Sequence, residues 1–156
     1  MNVEFINPFI NSALNVLKTM AKTTPNVGKP AVKPGNRTWG VVTGIIGLAG
    51  ETVSGNMVLS FDAPSILRIV SNMLGEEFKE VNNDVVDAVG ELTNMISGGA
   101  KGELSEKGHK FDMATPIMVT GKDLEIKQLS DIPVITVPFT TDAGKFVIEA
   151  NLAARK

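Results

Sequence analysis

A carboxylate and a carboxamide stand three residues apart in the sequence Glu91-Leu-Thr-Asn94. The carboxylate can hold a cation or accept a proton, whereas the carboxamide can donate one hydrogen bond and accept another, which suits it to hold a water molecule in a fixed direction. Two residues at this spacing on a helix point the same way and can touch one partner surface. Glu91 and Asn94 are therefore the first candidates for chemistry.

The pair belongs to a segment, residues 83–108, that predicts one long helix. Its apolar residues recur three and four apart, so they fall on one face that we expect to be buried: Val85, Val89, Leu92, Ile96 and Ala100. On the opposite face, spacings of four and three give a nearly straight row that we call the polar ridge: Asp87, Glu91, Asn94, Gly98 and Lys101.

Four glycines lie inside this predicted helix, at Gly90, Gly98, Gly99 and Gly102. Each costs about 1 kcal/mol relative to alanine. Such a helix must gain something from small side chains, either close packing of another element or close approach of a partner. A solvated face is the ordinary interpretation of a polar ridge, and the glycines together with the acid–amide pair favour a functional one.

Composition limits the classes of protein to consider. The chain of 156 residues is 43% apolar and 21% charged, which is typical of an ordinary globular protein and predicts a single domain over residues 1–156. A net charge of −2 without basic clusters disfavours nucleic-acid binding. The absence of cysteine excludes disulfides and thiolate chemistry. No cationic segment followed by an apolar run opens the chain, so we expect a cytoplasmic protein without membrane association.

The remaining segments predict an α+β fold, with three main helices packed on an antiparallel sheet of about five or six strands. A helix over residues 7–20 should begin with Asn7 as its N-cap and Pro8 at its first position. Asp62 should cap a helix that stops at Gly75. Residues 22–37 are expected to form an exposed loop. The predicted strands cover residues 38–48, 56–61, 111–120, 124–129, 133–139 and 145–152.

Other kinds of site find little support in the sequence. His109 is the only histidine and lies in a loop without nearby metal-ligand spacing, so it is expected at the surface. The glycine-rich stretch 44–50 lacks the Gly-Lys-Ser/Thr of a phosphate-binding loop and is interpreted as hairpin geometry. No carboxylates show the spacing of a metal site, and we expect no cofactor bound by this chain.

The segment Asp87-Ala-Val-Gly-Glu91-Leu-Thr-Asn94 resembles the Asp/Ser-x3-Glu-x2-Asn signature of the CheC/CheX/FliY family of chemotaxis phosphatases. The resemblance to CheX members extends over most of the chain, through the segments 7–10, 44–61, 73–76, 95–100 and 111–116. The signature continues to a proline a little over twenty residues further on; Pro116 follows Asn94 with 21 residues between, one fewer than the usual gap in the family.

This resemblance implies that the chain hydrolyses the aspartyl phosphate of phosphorylated CheY or a related receiver domain. It implies that Asn94 positions the attacking water and that Glu91 docks to the receiver's lysine. Gly98 would let the helix backbone come near, and Asp87 and Lys101 would add rim contacts. The receiver would supply Mg²⁺, and the chain would form a homodimer through edge strands.

Two other interpretations remain open. The same ridge could belong to a non-catalytic adaptor that binds a receiver domain or a flagellar switch component, or to a structural dimer in which the ridge is merely solvated.

A second Glu-x2-Asn occurs at Glu4 and Asn7. We interpret it as a decoy, because a cap at Asn7 would leave Glu4 outside the helix.

Overall fold

Three helices pack on an antiparallel sheet in the computed structural model, which describes residues 3–127 and 132–154. The architecture confirms the α+β prediction. The helices are α1 (Val3–Ala21), α2 (Ala63–Leu74) and α3 (Asn83–Glu106). Asp62 caps α2 as predicted, because its Oδ1 accepts a hydrogen bond from the Ser65 backbone N–H at 2.9 Å, and Gly75 ends the helix in the left-handed conformation.

Nine strands within the described residues occupy six positions across one sheet, in the order β1-β7-β8-β4-β3-β5. β2 shares the position of β1 beside β7, β9 that of β8 beside β4, and β6 that of β5 beside β3. The estimate of five or six strands matches these positions but not the number of separate strands. The strands are β1 (Asn26–Val27), β2 (Ala31–Val32), β3 (Val42–Ala49), β4 (Val53–Phe61), β5 (Asp112–Met113), β6 (Ile117–Thr120), β7 (Ile135–Thr140), β8 (Lys145–Ala150) and β9 (Ala153–Ala154).

Two predicted segments differ from the structure. Residues 22–37 were expected as a loop, but they include β1 and β2, which pair with β7 at the edge of the sheet where nearby prolines are tolerated. A strand was expected over residues 124–129, but residues 124–127 make only an isolated bridge between Glu125 and Arg37. Residues 128 and 129 lie outside the described part of the chain.

The first helix begins at Val3, so the predicted cap at Asn7 is wrong and Pro8 lies inside α1. An internal proline costs about 3 kcal/mol. Phe5 and Ile6 are only 6% and 3% exposed, and burying two such side chains contributes about 1.5–3 kcal/mol each, which offsets that cost. Glu4 and Asn7 therefore share one helix, and the reason for interpreting them as a decoy does not hold.

The core lies between the helices and one face of the sheet. Phe139, Phe146 and Phe61 stand side by side on β7, β8 and β4, with ring centroids 4.6 Å and 4.9 Å apart. All three are fully buried, and Ile148 lies on the same face of β8 as Phe146 and is fully buried too. This aromatic row aligns the three central strands.

The other face of the sheet carries a buried ion pair. Glu149 of β8 is 3% exposed, and its Oε1 lies 2.9 Å from Nζ of Lys33. Burial raises the pKa of Glu149, while the hydrogen bond and charge of Lys33 act to lower it. The ion pair ties the segment that follows β2 to the back of the sheet.

Strand β3 supports α3 through a close contact at Gly44. A methyl group at this position would collide with Oγ1 of Thr93 and would stand 3.3 Å from Thr93 Cβ. Thr93 is fully buried, and its hydroxyl donates a hydrogen bond to the Val89 carbonyl at 2.7 Å. Because Thr93 lies between Glu91 and Asn94 in the sequence, Gly44 sets the distance of this part of α3 from the sheet.

We expect Gly44→Ala to lower the free energy of unfolding by about 1–3 kcal/mol, since the added methyl overpacks the helix–sheet contact. Urea denaturation measures the change. Gly47→Ala on the same strand is the control, because its methyl would meet its nearest atoms, Ala114 Cβ and Asn56 Oδ1, at 3.7 Å. Equal losses in the two variants would contradict the assigned role of Gly44.

Candidate functional site

Helix α3 packs against the core along its whole apolar face. Asn82 caps its first turn, with Oδ1 accepting a hydrogen bond from the Val85 backbone N–H at 3.1 Å. The helix ends at Glu106, two residues before the predicted end. The five residues predicted to face the core are fully buried: Val85, Val89, Leu92, Ile96 and Ala100. The opposite, polar ridge is thereby turned away from the core.

The polar ridge presents its acid–amide pair to solvent. Asp87 and Glu91 are exposed and Asn94 is partly exposed. Across residues 3–127 and 132–154, none of these three side chains has a hydrogen bond or an ion pair with another residue. Their polar groups are therefore available to a molecule that approaches α3 from outside.

Asp87, Glu91 and Asn94 line an open groove of about 610 Å³. The groove brings together three parts of the chain: α3, the C-terminal residue Leu74 of α2, and the segment from Thr115 to Met118 before and within β6. Its other lining residues on α3 are Asp84, Ala88 and Gly90. The groove is open enough for a protein surface to reach the acid–amide pair.

Several groove residues were not predicted as site residues. Pro116 could have been found from the family signature, and the structure places it in the same groove as Asn94. Leu74 lies in the segment 73–76 that resembles CheX members, but that resemblance gave it no role, and Met118 carries no recognisable signal in the sequence. They reach the groove because α2 ends beside α3 and because β6 pairs with β3.

The glycines inside α3 were expected to allow either close packing of another element or close approach of a partner, and they differ in which of these the structure supports. Gly99 packs against α1, where a methyl group would collide with Ser12 Oγ. A methyl at Gly90 would meet Met118 Sδ at an ordinary 3.6 Å. At Gly98 and Gly102, an added methyl would meet no atom of another element within 4 Å. Internal packing therefore explains Gly99 and leaves Gly98 and Gly102 unexplained.

The far end of the polar ridge lies apart from the groove. Neither Gly98 nor Lys101 lines it. Lys101 Nζ lies 3.9 Å from Oδ1 of the fully exposed Asp112, a contact that contributes little to stability. The structure thus groups Asp87 with Glu91 and Asn94, and it leaves Lys101 about two turns beyond them.

The single histidine is more buried than expected for a surface residue. The His109 ring packs edge-on against Phe5 with centroids 5.0 Å apart, and its Nε2 lies 3.6 Å from Glu4 Oε1. It does not line the groove. The geometry gives His109 a place between the start of α1 and the end of α3.

Within the described ranges, no three His, Cys, Asp or Glu side chains are grouped so that they could hold a metal ion. None of the helices described there combines the length and apolar character that crossing a membrane requires. The groove carries the carboxylates of Asp84, Asp87 and Glu91 and no lysine, arginine or histidine among its lining residues. Its electrostatic character is therefore acidic.

Comparison with known proteins gives consistent matches. The CheY-P phosphatase CheX of Thermotoga maritima is 29% identical over 133 residues, which are 85% of each chain. A crystal structure of a CheC-like superfamily protein from Shewanella sp. PV-4 is 48% identical with a TM-score of 0.91, covering 98% of this chain and 99% of that one.

A third relative was crystallised with a partner. It is CheX of Borrelia burgdorferi, in a complex with CheY, BeF3 and Mg²⁺. It is 29% identical with a TM-score of 0.77, covering 99% of this chain and all of that one. The sequence profile of the family described as chemotaxis phosphatase CheX matches residues 42–140, which contain the groove and the acid–amide pair. The chain belongs to the CheX family of chemotaxis phosphatases.

Proposed function

We propose that this chain hydrolyses the aspartyl phosphate of a phosphorylated CheY-like receiver domain. The observation that carries the proposal is the pair Glu91 and Asn94, one turn apart on α3, exposed in a groove and without partners among the described residues. The relative from Thermotoga maritima is a CheY-P phosphatase. The relative from Borrelia burgdorferi forms a complex with CheY.

Hydrolysis of an acyl phosphate depends on positioning more than on a strong base, since water must attack in line with the bond that breaks. Asn94 holds that water, because its carboxamide can both accept and donate a hydrogen bond. Glu91 pairs with the lysine of the receiver's phosphorylation site and so fixes α3 against it. Mg²⁺ comes with the receiver and neutralises phosphoryl charge; the Borrelia burgdorferi complex contains Mg²⁺.

The rest of the polar ridge supports docking. Asp87 lies on the groove wall beside Glu91, where it contacts the rim of the partner. Gly98 lets the partner approach the helix backbone one turn beyond Asn94, and Lys101 contacts its far rim. The helix thereby supplies half of an active site, which the receiver completes with the phosphoryl group, the metal and the lysine.

Replacing Asn94 tests the water-positioning role. We expect Asn94→Ala to lower the maximal rate of receiver dephosphorylation by about 100-fold, because the attacking water loses its orientation. Phosphate release from a phosphorylated receiver with Mg²⁺ measures the rate. Asn7→Ala is a matched control, since Asn7 is also exposed on a helix three residues after a glutamate, and it should leave the rate unchanged.

A wild-type rate in Asn94→Ala would rule out this role. If the wild-type protein binds the receiver without accelerating phosphate release, the non-catalytic adaptor is the correct interpretation.

Replacing Gly98 tests close approach of the partner. Gly98→Ala should raise the free energy of unfolding by up to about 1 kcal/mol, because no atom of another described element lies within 4 Å of the added methyl. The same methyl should lower phosphatase activity by about tenfold, since small displacements of reacting groups reduce the rate strongly. Thermal unfolding and phosphate release measure the two effects. Gly102→Ala is the control, because its methyl is equally unobstructed. It should gain stability without losing phosphatase activity. Equal phosphatase activity in the two variants would exclude a partner contact at Gly98.

We also propose that the protein is a homodimer. Strand β6 lies at the edge of the sheet, and no strand in the described residues pairs with its outer side. Its Ile117 is 65% exposed. An apolar edge strand offers backbone groups that a second copy can pair with. Sedimentation equilibrium should give twice the monomer mass, and a monomer mass at micromolar concentration would contradict the dimer.

A further inference from the structure

One wall of the groove is apolar, and the proposed chemistry does not use it. Leu74 is the last residue of α2 and is 52% exposed. Pro116 and Met118 stand with it around the groove, and the small residues Ala88 and Gly90 lie on α3 in the same lining. This arrangement leaves a space in which an apolar side chain from outside can be buried against apolar neighbours.

Three of the α3 residues that line the groove are acidic. Asp84, Asp87 and Glu91 follow at spacings of three and four, and Asp84 and Glu91 are separated by about 10 Å along the helix axis. Among the described residues, no cationic side chain lines the groove. An occupant that brought only a phosphoryl group and carboxylates to Asn94 would face uncompensated repulsion from Asp84 and Asp87. The receiver's lysine pairs with Glu91 and its Mg²⁺ neutralises phosphoryl charge, so Asp84 and Asp87 favour an occupant that carries a further positive charge.

We propose that the groove is a second docking point for the receiver domain, which inserts an apolar side chain between Leu74 and Met118 and places a basic side chain over Asp84 and Asp87. This proposal rests on the proposed function. The two points of contact are continuous, because the same groove contains Glu91 and Asn94 at one end and Asp84 at the other. Along the helix axis Asp84 lies about 10 Å and Asp87 about 6 Å from Glu91, and the basic side chain and the active-site lysine of the receiver are spaced to match.

This second point gives the site selectivity among receivers. Water positioning by Asn94 and pairing by Glu91 act on features of the reacting group itself, so they accept any receiver that presents a phosphoryl group beside a lysine. Contacts at Leu74 and Asp84 depend on residues of the receiver that lie outside its phosphorylation site. They govern how tightly a particular receiver binds, and they leave the rate of the bound complex unchanged.

The test uses Leu74→Ser and Leu74→Glu in the full chain, with a beryllofluoride-activated receiver and Mg²⁺ for binding and the phosphorylated receiver for kinetics. Leu74→Ser should raise the half-saturating receiver concentration about tenfold with the maximal rate unchanged, as for loss of uniform binding. Leu74→Glu should raise it further by adding a fourth carboxylate to the groove. Val32→Ser is the matched control, since Val32 is 64% exposed on β2 at the opposite edge of the sheet, and it should bind as the wild type does.

An electrostatic variant provides an independent measurement that does not alter the apolar wall. Asp84→Asn should slow association with the receiver by about threefold at low ionic strength, and the difference should vanish at high salt. Circular dichroism of each variant checks that its fold is retained.

Unchanged half-saturating concentrations in both Leu74 variants, or an association rate in Asp84→Asn equal to that of the wild type at low salt, would overturn the second docking point. That result leaves the proposed function intact if Asn94→Ala is inactive. Conversely, a wild-type protein that binds the receiver without hydrolysis would refute the phosphatase, whereas weakened binding in Leu74→Ser would still support this docking surface.

Discussion

The contact between Gly44 and Thr93 is the constraint on which the site depends. Because Gly44 has no side chain, the buried Thr93 can lie directly on β3, and α3 approaches the sheet closely at this turn. The burial of Thr93 directs its neighbours Glu91 and Asn94 outward. The same strand pairs with β6, which carries the other wall of the groove, so β3 positions both walls. The contact between Gly44 and Thr93 thus fixes the position of α3 relative to the segment from Thr115 to Met118 across the groove.

Periodicity in the sequence predicted the elements that have strong local signals. The apolar spacing in α3, the Asp62 cap of α2 and the hairpin of β3 and β4 all depend on neighbours close in sequence, and the structure contains each of them. The start of α1 was missed because burial of Phe5 and Ile6 outweighs the cost of Pro8, and that burial exists only in the folded protein. The two-residue strands were missed because pairing with β7 defines them.

The same division applies to the site. Glu91 and Asn94 could be found because one helical turn relates them, and the family signature pointed to Pro116 without giving it a role. Leu74 and Met118 could not be found, because their proximity to Asp84 and Asp87 results from packing between α2, α3 and β6. Lys101 was grouped with the pair on helical phase alone. Phase fixes the direction of a side chain but not its distance along the axis, and Lys101 lies nearer to Asp112 than to the groove.

Glu91 and Asn94 have no hydrogen-bond or ion-pair partner among the residues that the structure describes, and this affects their conformational entropy. Side chains without hydrogen bonds in the free protein keep several rotamers, and ordering each on association costs about 0.5–1.5 kcal/mol. The folded chain therefore fixes the backbone of the site, but the reactive arrangement of the Glu91 and Asn94 side chains is only one of several rotamer combinations. A small acyl phosphate, which makes few contacts, provides little interaction energy to offset that ordering. A whole receiver domain provides much more, so its size itself becomes part of the specificity.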